Sequence, residues 1–307
     1  MPPIELTNFT VWGRDWFADG WEGLRAFCGA QGIAGVELLG AGITSEVPPP
    51  ADLVHGVHLH SLGSWLPLAG VPVRHFGDAS GRYQGVATYR DLVQARVQEL
   101  REVAKLEPQY VVWHGSYAPQ GYASADGETL TAEQVLSPLA SLVRDVLHEF
   151  APPYDICFEN AYGVGVGPDA LGATAGFLAG LAGLPVGIVL DIGHYLNCYR
   201  DLATPEAACR ELLRVGGKFR AAGIPTDVLH LHWTPPELVP RETAAPAEAG
   251  CYFQQCDQHH PLAHPMLAEA VEAVAPKYVV HEMGAMSLVD HATWLTAQAT
   301  AMRGAPQ

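Results

Sequence analysis

No stretch of this 307-residue sequence approaches about 18 consecutive apolar residues, so no membrane span is expected. The N-terminus, Met1-Pro-Pro-Ile-Glu, has neither the basic region nor the apolar run of a secretory leader. Six cysteines occur, at Cys28, Cys157, Cys198, Cys209, Cys251 and Cys256, without a single CxxC pair. In a chain this long they read as reduced thiols rather than a disulfide framework, and the expected compartment is the cytoplasm. Charged residues are scarce at 16%, and basic ones scarcer, with 17 Lys and Arg against 33 Asp and Glu and a net charge of −16. No cluster of Lys or Arg offsets that field locally, which argues against a nucleic-acid partner and against an anionic membrane surface. There is no internal repeat, and the only biased tract is a short Ala/Pro/Glu segment around Thr243–Ala249.

What the chain has is hydrophobic bulk, at 49% of residues, in short runs of Val, Ile and Leu that alternate with longer helical patterns. That alternation signals βα units and a parallel sheet. Strands are expected at Ile4–Trp12, Gly35–Leu39, Gly56–His60, Tyr110–His114, Asp155–Glu159, Gly187–Asp191, Val228–His232 and Tyr278–Glu282. Helices are expected at Trp21–Gln31, Tyr89–Leu106, Thr131–Phe150, Ala170–Leu181, Pro205–Ala222, Leu262–Val274 and Asp290–Met302. Pro48-Pro49-Pro50 leaves no room for a full helix between the second and third strands. Eight strands in roughly the length of one barrel predict a single (β/α)8 TIM-barrel domain over residues 1–307. Two long connections, Ser61–Thr88 with Trp65, His75, Phe76 and Tyr83, and Thr234–Asp257, leave C-terminal strand ends and are candidate lids.

Six consecutive expected strands finish on a residue able to bind a metal. The third reads Val57-His58-Leu59-His60, the fourth Trp113-His114, the fifth Phe158-Glu159-Asn160 and the sixth Asp191-Ile192-Gly193-His194. The seventh reads His230-Leu231-His232, and the eighth His281-Glu282. Side chains alternate along a strand, so one position per strand end faces the barrel axis and the ring converges on one small volume. Carboxylates gathered there are penalised by desolvation and repulsion unless a cation reverses the penalty. Mixed imidazole and carboxylate donors suit Zn, Mn, Co or Fe, in one to three ions. His58 and His60 share a parity, as do His230 and His232, so parity does not choose within either pair. His281 has the parity opposite to Glu282 and reads as a packing residue. Asp257-Gln258-His259, after the long seventh connection, adds two further candidate ligands, whereas His260 and His264 read as solvated.

In order along the chain these residues resemble the xylose isomerase-like TIM-barrel superfamily, which includes endonuclease IV, sugar isomerases and epimerases. His114-Gly115-Ser116, Glu159-Asn160, Asp191-x-x-His194, Asp257-x-His259 and the closing Glu282 resemble the metal-binding motifs of endonuclease IV. The sugar epimerases share a smaller set, in which Glu159, Asp191, His230 and Glu282 would bind one metal and His194 would contact substrate. His260-Pro-Leu-Ala-His-Pro departs from the Gly-rich segment expected after Asp-x-His. His55-Gly56-Val57, Ser61–Ser64 and Asp191–Asn197 are also similar to the multinuclear non-haem iron enzymes that modify peptide cysteines.

The resemblance implies a divalent-metal-dependent isomerase or epimerase of a small, sugar-like hydroxy-carbonyl substrate. Glu159 and Glu282 would move the proton, His194 would orient a substrate oxygen, and Trp65, Trp113 and His232 would line the substrate pocket. The alternatives are a multinuclear phosphodiesterase that also uses His58 or His60, His114, Asp257 and His259, and an oxidative enzyme built on a multi-iron cluster.

Overall fold

The computed structural model describes residues 2–39, 47–60, 65–71, 86–115, 130–160, 164–197, 202, 204–238 and 257–304. Its strands are β1 (Ile4–Phe9), β2 (Gly35–Leu39), β3 (Val54–His58), β4 (Tyr110–His114), β5 (Asp155–Glu159), β6 (Val186–Asp191), β7 (Val228–Leu231) and β8 (Tyr278–His281). They pair in chain order, all parallel, and β8 returns to β1, which makes a closed eight-stranded TIM barrel. The described α-helices are α1 (Trp21–Gln31), α2 (Tyr89–Val103), α3 (Ala132–Glu149), α4 (Leu171–Gly180), α5 (Ile192–Asn197), α6 (Pro205–Ala221), α7 (Leu267–Val274) and α8 (Leu288–Arg303). Local chemistry sets several starts: Thr88 with Asp91, and Thr131 with Gln134, form reciprocal capping boxes on α2 and α3. Thr204 caps α6 ahead of Pro205 in its first turn. None of the described helices is long and apolar enough to cross a membrane.

Alternation along the strands builds two cores. Leu6, Tyr110, Val112, Cys157, Val189, Val228, Tyr278 and Val280 point inward and fill the barrel. Leu38, Val57, Trp113, Phe158, Leu190, Leu229 and Val279, of the opposite parity, pack under the helices. Tyr110 crosses the interior because β3 offers no side chain there; a Cβ on Gly56 would sit 2.4 Å from its ring. Except in β2, whose inward row ends on Leu39, each inward row then finishes, one step nearer the C-terminal end, on a polar residue. Neighbouring strands hold those residues side by side, His114 against Glu159 and Asp191 against His230. Cys28, Cys157 and Cys209 are free and buried.

Several expected boundaries move. β1 stops at Phe9 instead of Trp12, because the Thr10 hydroxyl accepts the Gly13 amide and turns the chain into a 3-10 helix, Val11–Trp16. The third strand begins at Val54 and ends at His58, because a 3-10 turn over Ala51–Leu53 feeds straight into it and the backbone of His60 bonds to side chains of α2. α7 begins at Leu267 rather than Leu262, since the Leu262 amide donates to Gln298 Oε1 at 2.6 Å and Pro265 breaks the approach. Between β2 and β3 the described residues contain only the 3-10 turn. Most of both long connections, including His75, Phe76, Tyr83 and the proposed lids, lies outside the described residues.

Candidate metal centre

Six imidazoles and four carboxylates converge at the C-terminal mouth of the barrel: His58, His114, His194, His230, His232 and His259 with Glu159, Asp191, Asp257 and Glu282. Glu159 sits at one focus. Its Oε2 faces His58 Nε2 at 3.2 Å and the ring of His114, and its Oε1 faces His230 Nδ1 at 3.3 Å and His194 Nδ1 at 3.4 Å. A second focus is His230 Nδ1, which is 3.5 Å from Asp191 Oδ2 and 3.4 Å from Glu282 Oε2. At the third, His232 Nε2 lies 3.1 and 3.2 Å from the two Asp191 oxygens and 3.5 Å from Glu282, while its ring stacks on His259 at 4.0 Å. Asp257 closes this side, 2.7 Å from His259 Nε2 and 3.4 Å from His194 Nε2.

The motif spacings follow from how the strands end. Asp191 is the last residue of β6, and its carboxylate accepts the His194 amide at 2.6 Å, capping the turn that becomes α5. His194 is thereby placed one helical turn above the same carboxylate. Asn160, at the exit of β5, clamps this corner: its side chain donates to the Asp191 carbonyl at 2.7 Å and accepts the Asp191 amide at 2.8 Å. The Asp257-x-His259 segment is pinned to the exit of β7 by a two-way backbone bridge between Trp233 and His260. His259 adopts a left-handed φ of 47°, a conformation that costs a residue with a side chain some strain and aims its ring at the cluster. Gly193 is required beside them, since a Cβ there would lie 1.9 Å from the His232 ring. Gly193→Ala is expected to displace that ring, cost about 1–3 kcal/mol of stability and weaken metal binding; denaturant titration and metal uptake check both.

Burial and charge pull against each other throughout the cluster. Burial pushes Glu159 upward, but the imidazoles of His114 and His230 outweigh it and hold the carboxyl well below the ordinary range. Glu282 is lowered in the same way by His230 and His259, against its own burial. Asp257 is lowered well below the ordinary range by His232, His194 and His259, again against burial. Reciprocally, burial disfavours charge on His58 and His259, yet Glu159 lifts the first to about 9, and Glu282 with Asp257 lifts the second to about 9. His194 and His230 are raised well above 6.5, against burial, by the carboxylates around them. His114 is the exception: burial, helped by repulsion from His58 and His194, keeps it below 6.5 even beside Glu159. One carboxylate cannot hold every neighbouring imidazole as a cation.

The donor set fits divalent metal. Ligand atoms within 4.8 Å of one another group as His58/His114/Glu159, Glu159/Asp191/His230, Asp191/His194/His232 and His232/His259/Glu282. Among these, His114 Nε2, both Glu159 oxygens, His230 Nδ1, His232 Nδ1 and Glu282 Oε2 are buried without a well-directed hydrogen bond. Buried polar atoms in such numbers are costly unless something else satisfies them, and imidazole with carboxylate is a donor set for Zn, Mn, Co or Fe.

The structure separates the residues that parity left paired. His58 joins the cluster, whereas His60 lies outside it, more than half exposed, with Nδ1 2.9 Å from Glu99. Glu99 raises the His60 pKa, and Arg96 of α2 donates to the His60 carbonyl. His230 and His232 both face inward, and His232 stands within the cluster, beside Asp191, rather than on a separate wall. His281 faces away, between Glu5 at 3.1 Å and Gln298 at 3.0 Å. Trp65 and Trp113 do not line the pocket: both are fully buried, Trp113 between Phe158 and the guanidinium of Arg96. The cavity above the metal donors, about 620 Å³, is walled instead by the exits of β1 and β8 with Leu39 and Leu59, chiefly Phe9, Trp16, Met283 and Met286. It reaches His58, His114, His194, His259 and Glu282. The sequence reading missed Glu37, fully buried at the middle of β2, although a lone carboxylate of inward parity in Gly35-Val-Glu-Leu-Leu was a signal for it.

With this geometry in hand, the chain can be set beside solved structures. Endonuclease IV from Thermus thermophilus is 16% identical over 98% of this chain and 99% of its own, with a TM-score of 0.54. AsfvAP is 11% identical over 99% of both chains, with a TM-score of 0.56. The probable 3-DHS dehydratase AsbF from Bacillus anthracis is 10% identical over 98% of this chain and 100% of its own, with a TM-score of 0.51. The fold, a closed eight-stranded TIM barrel, is one this chain shares with these structures. No protein-family model matches the sequence, and no curated protein does. A TIM-barrel enzyme builds its site at the C-terminal strand ends, which is where the six imidazoles and four carboxylates of this chain meet.

Proposed function

We propose that the protein is a polynuclear metalloenzyme that hydrolyses a phosphoester bond in a small molecule. The observation that carries this reading is the surplus of donors: four overlapping triads of buried carboxylates with buried or half-buried imidazoles, more than one ion can use. His58, His114 and Glu159 would hold one ion; Glu159, Asp191, His230 and Glu282 a second; His194, His232, Asp257 and His259 a third, with Asp191 and Glu282 reaching across. Bound divalent ions supply Lewis-acid stabilisation of phosphoryl oxygens and a nucleophilic water at neutral pH.

The chain's own residues shape what can enter and what can move a proton. Both oxygens of Glu159 face imidazoles at ion-pair distance, so it is an anchor rather than a free base for a carbon-bound proton. The cavity volume suits a small ligand, and its outer wall of Phe9, Trp16, Met283 and Met286 suits an apolar substituent on the ester. None of the described lining residues is Lys or Arg, and the chain carries −16, which favours a small ester over a duplex. Endonuclease IV, which shares this fold, is by name a nuclease, and phosphodiester chemistry is compatible with such a donor set.

A second reading, the isomerase or epimerase, is favoured by one specific feature. His230 Nδ1 lies 3.3, 3.5 and 3.4 Å from Glu159, Asp191 and Glu282, so the four-residue set for a single ion converges on one point. Reconstitution with Zn, Mn, Co or Fe, followed by elemental analysis and assay, separates the two. Expected are two or three ions per chain, metal-dependent cleavage of chromogenic aryl phosphodiesters, and no solvent deuterium entering a panel of ketoses. One ion per chain with deuterium at the carbon beside the carbonyl would replace the first reading by the second.

A further inference from the structure

Beneath the metal donors, inside the barrel, is a buried polar group that the proposed chemistry does not use. Glu37 is fully buried in β2, where the β2–β3 ladder shifts register between Val36 and Glu37. Such an irregularity re-aims a side chain, and here the carboxylate reaches the barrel interior. Its Oε2 accepts a hydrogen bond from Tyr110 Oη at 2.8 Å and lies 3.1 Å from His230 Nε2. Tyr110 is itself held by packing: its ring fills the space left by Gly56 and rests against Tyr278, with centroids 4.9 Å apart. Residues of β2, β3, β4 and β8 therefore act together on a single imidazole of β7.

Resting on the reading of the mouth as a metal centre, we propose that Glu37 is a positioning residue that fixes the ring orientation and tautomer of His230. A neutral imidazole carries one proton, and both nitrogens of His230 face carboxylates; an ion bound on the Nδ1 side would take that lone pair and leave the proton on Nε2, beside Glu37. With Glu37 at Nε2 to accept that proton, the Nδ1 lone pair would face Glu159, Asp191 and Glu282, where an ion would be held. Carboxylate partners of this kind also raise the basicity of a ligating histidine, and losing one commonly weakens metal binding by roughly 10–100-fold. Tyr110 acts one step further out, by keeping Oε2 beneath the ring.

The test is zinc affinity, measured by chelator competition on the full chain. Glu37→Met keeps the volume and removes the acceptor, and is expected to weaken zinc binding by roughly 10–100-fold. Glu37→Gln can place its carbonyl oxygen where Oε2 stands, accept the same two bonds, and recover most of that loss. Tyr110→Phe should weaken binding by roughly 2–10-fold. In the zinc-loaded native protein labelled with ¹⁵N-histidine, NMR should find the His230 proton on Nε2. That measurement and Tyr110→Phe decide the matter if Glu37→Met does not fold. A proton on Nδ1, or native-like zinc affinity in Glu37→Met or Tyr110→Phe, overturns the role of Glu37 and leaves the metal centre standing. A native chain that takes up no zinc, manganese, cobalt or iron overturns both.

Discussion

Replacing Glu159 with Ala should empty more than one metal position at once while leaving the barrel folded. Glu159 is shared by two donor groups and faces four imidazoles, so its loss removes a ligand from both and leaves His58, His114, His194 and His230 without their central anion. The fall in metal affinity should exceed the roughly 10–100-fold typical of losing a group that merely supports a ligand. Metal-free stability should fall too, by about 3–5 kcal/mol, because removing one partner of a buried ion pair strands the others. His60→Ala is the matched control: its ring pairs with Glu99 away from the cluster, and metal content should be unchanged. Elemental analysis, circular dichroism and thermal melts of the two variants settle the matter. Full metal occupancy in Glu159→Ala would sink the assignment of Glu159 as a shared ligand.

Metal-free and metal-loaded protein should respond to alkali in opposite directions. His58 and His259 are raised from 6.5 to about 9 in the folded chain, and His194 and His230 well above 6.5. Their contribution to stability is complete below 6.5 and is lost as pH rises through the folded values. Glu159, Glu282 and Asp257 are lowered, so their contribution is present above 4.5 for the glutamates and 3.8 for the aspartate, and is lost only as pH falls through the depressed values. The chelator-treated protein should therefore melt highest between 4.5 and 6.5 and progressively lower toward pH 9. His114, lowered chiefly by burial, works slightly the other way at the acid end of that window. Bound metal displaces the imidazole protons, so its affinity climbs over the same range. Excess metal at about 100 times its dissociation constant adds about 2.7 kcal/mol, enough to raise the melting temperature visibly. Melting temperatures recorded from about pH 5 to pH 9 with and without zinc test this. Parallel profiles in the two states would show that the imidazoles are not the groups that bind metal.

Much of this was legible in the residues themselves. Short apolar runs alternating with helical patterns specify the barrel, because a parallel strand buried on both faces reads as a nearly continuous apolar run. From the strand ends His114, Glu159, Asp191, His194 and Glu282 could be read as facing one volume, and all five are found there. The sequence could not rank His58 against His60, because both have inward parity; Arg96 and Glu99, from a helix some forty residues on, bind the backbone of His60 and turn its ring outward. Trp65 and Trp113 looked like pocket walls only because aromatic residues near strand ends often are, and their burial is decided by helices packed over them. Asp257 and His259 enter by a backbone bridge to β7 that no local pattern announces. Glu37 was visible as a carboxylate in an apolar strand, but its meaning depends on Tyr110 and His230, seventy-three and one hundred and ninety-three residues away. The sequence by itself determined the fold and the kind of side chain gathered at the strand ends, since parity and composition are local properties of each strand. Which imidazole joins the cluster, which is held aside and which meets a carboxylate from below was decided only in the tertiary structure, because a side chain's partners come from elements distant in the chain.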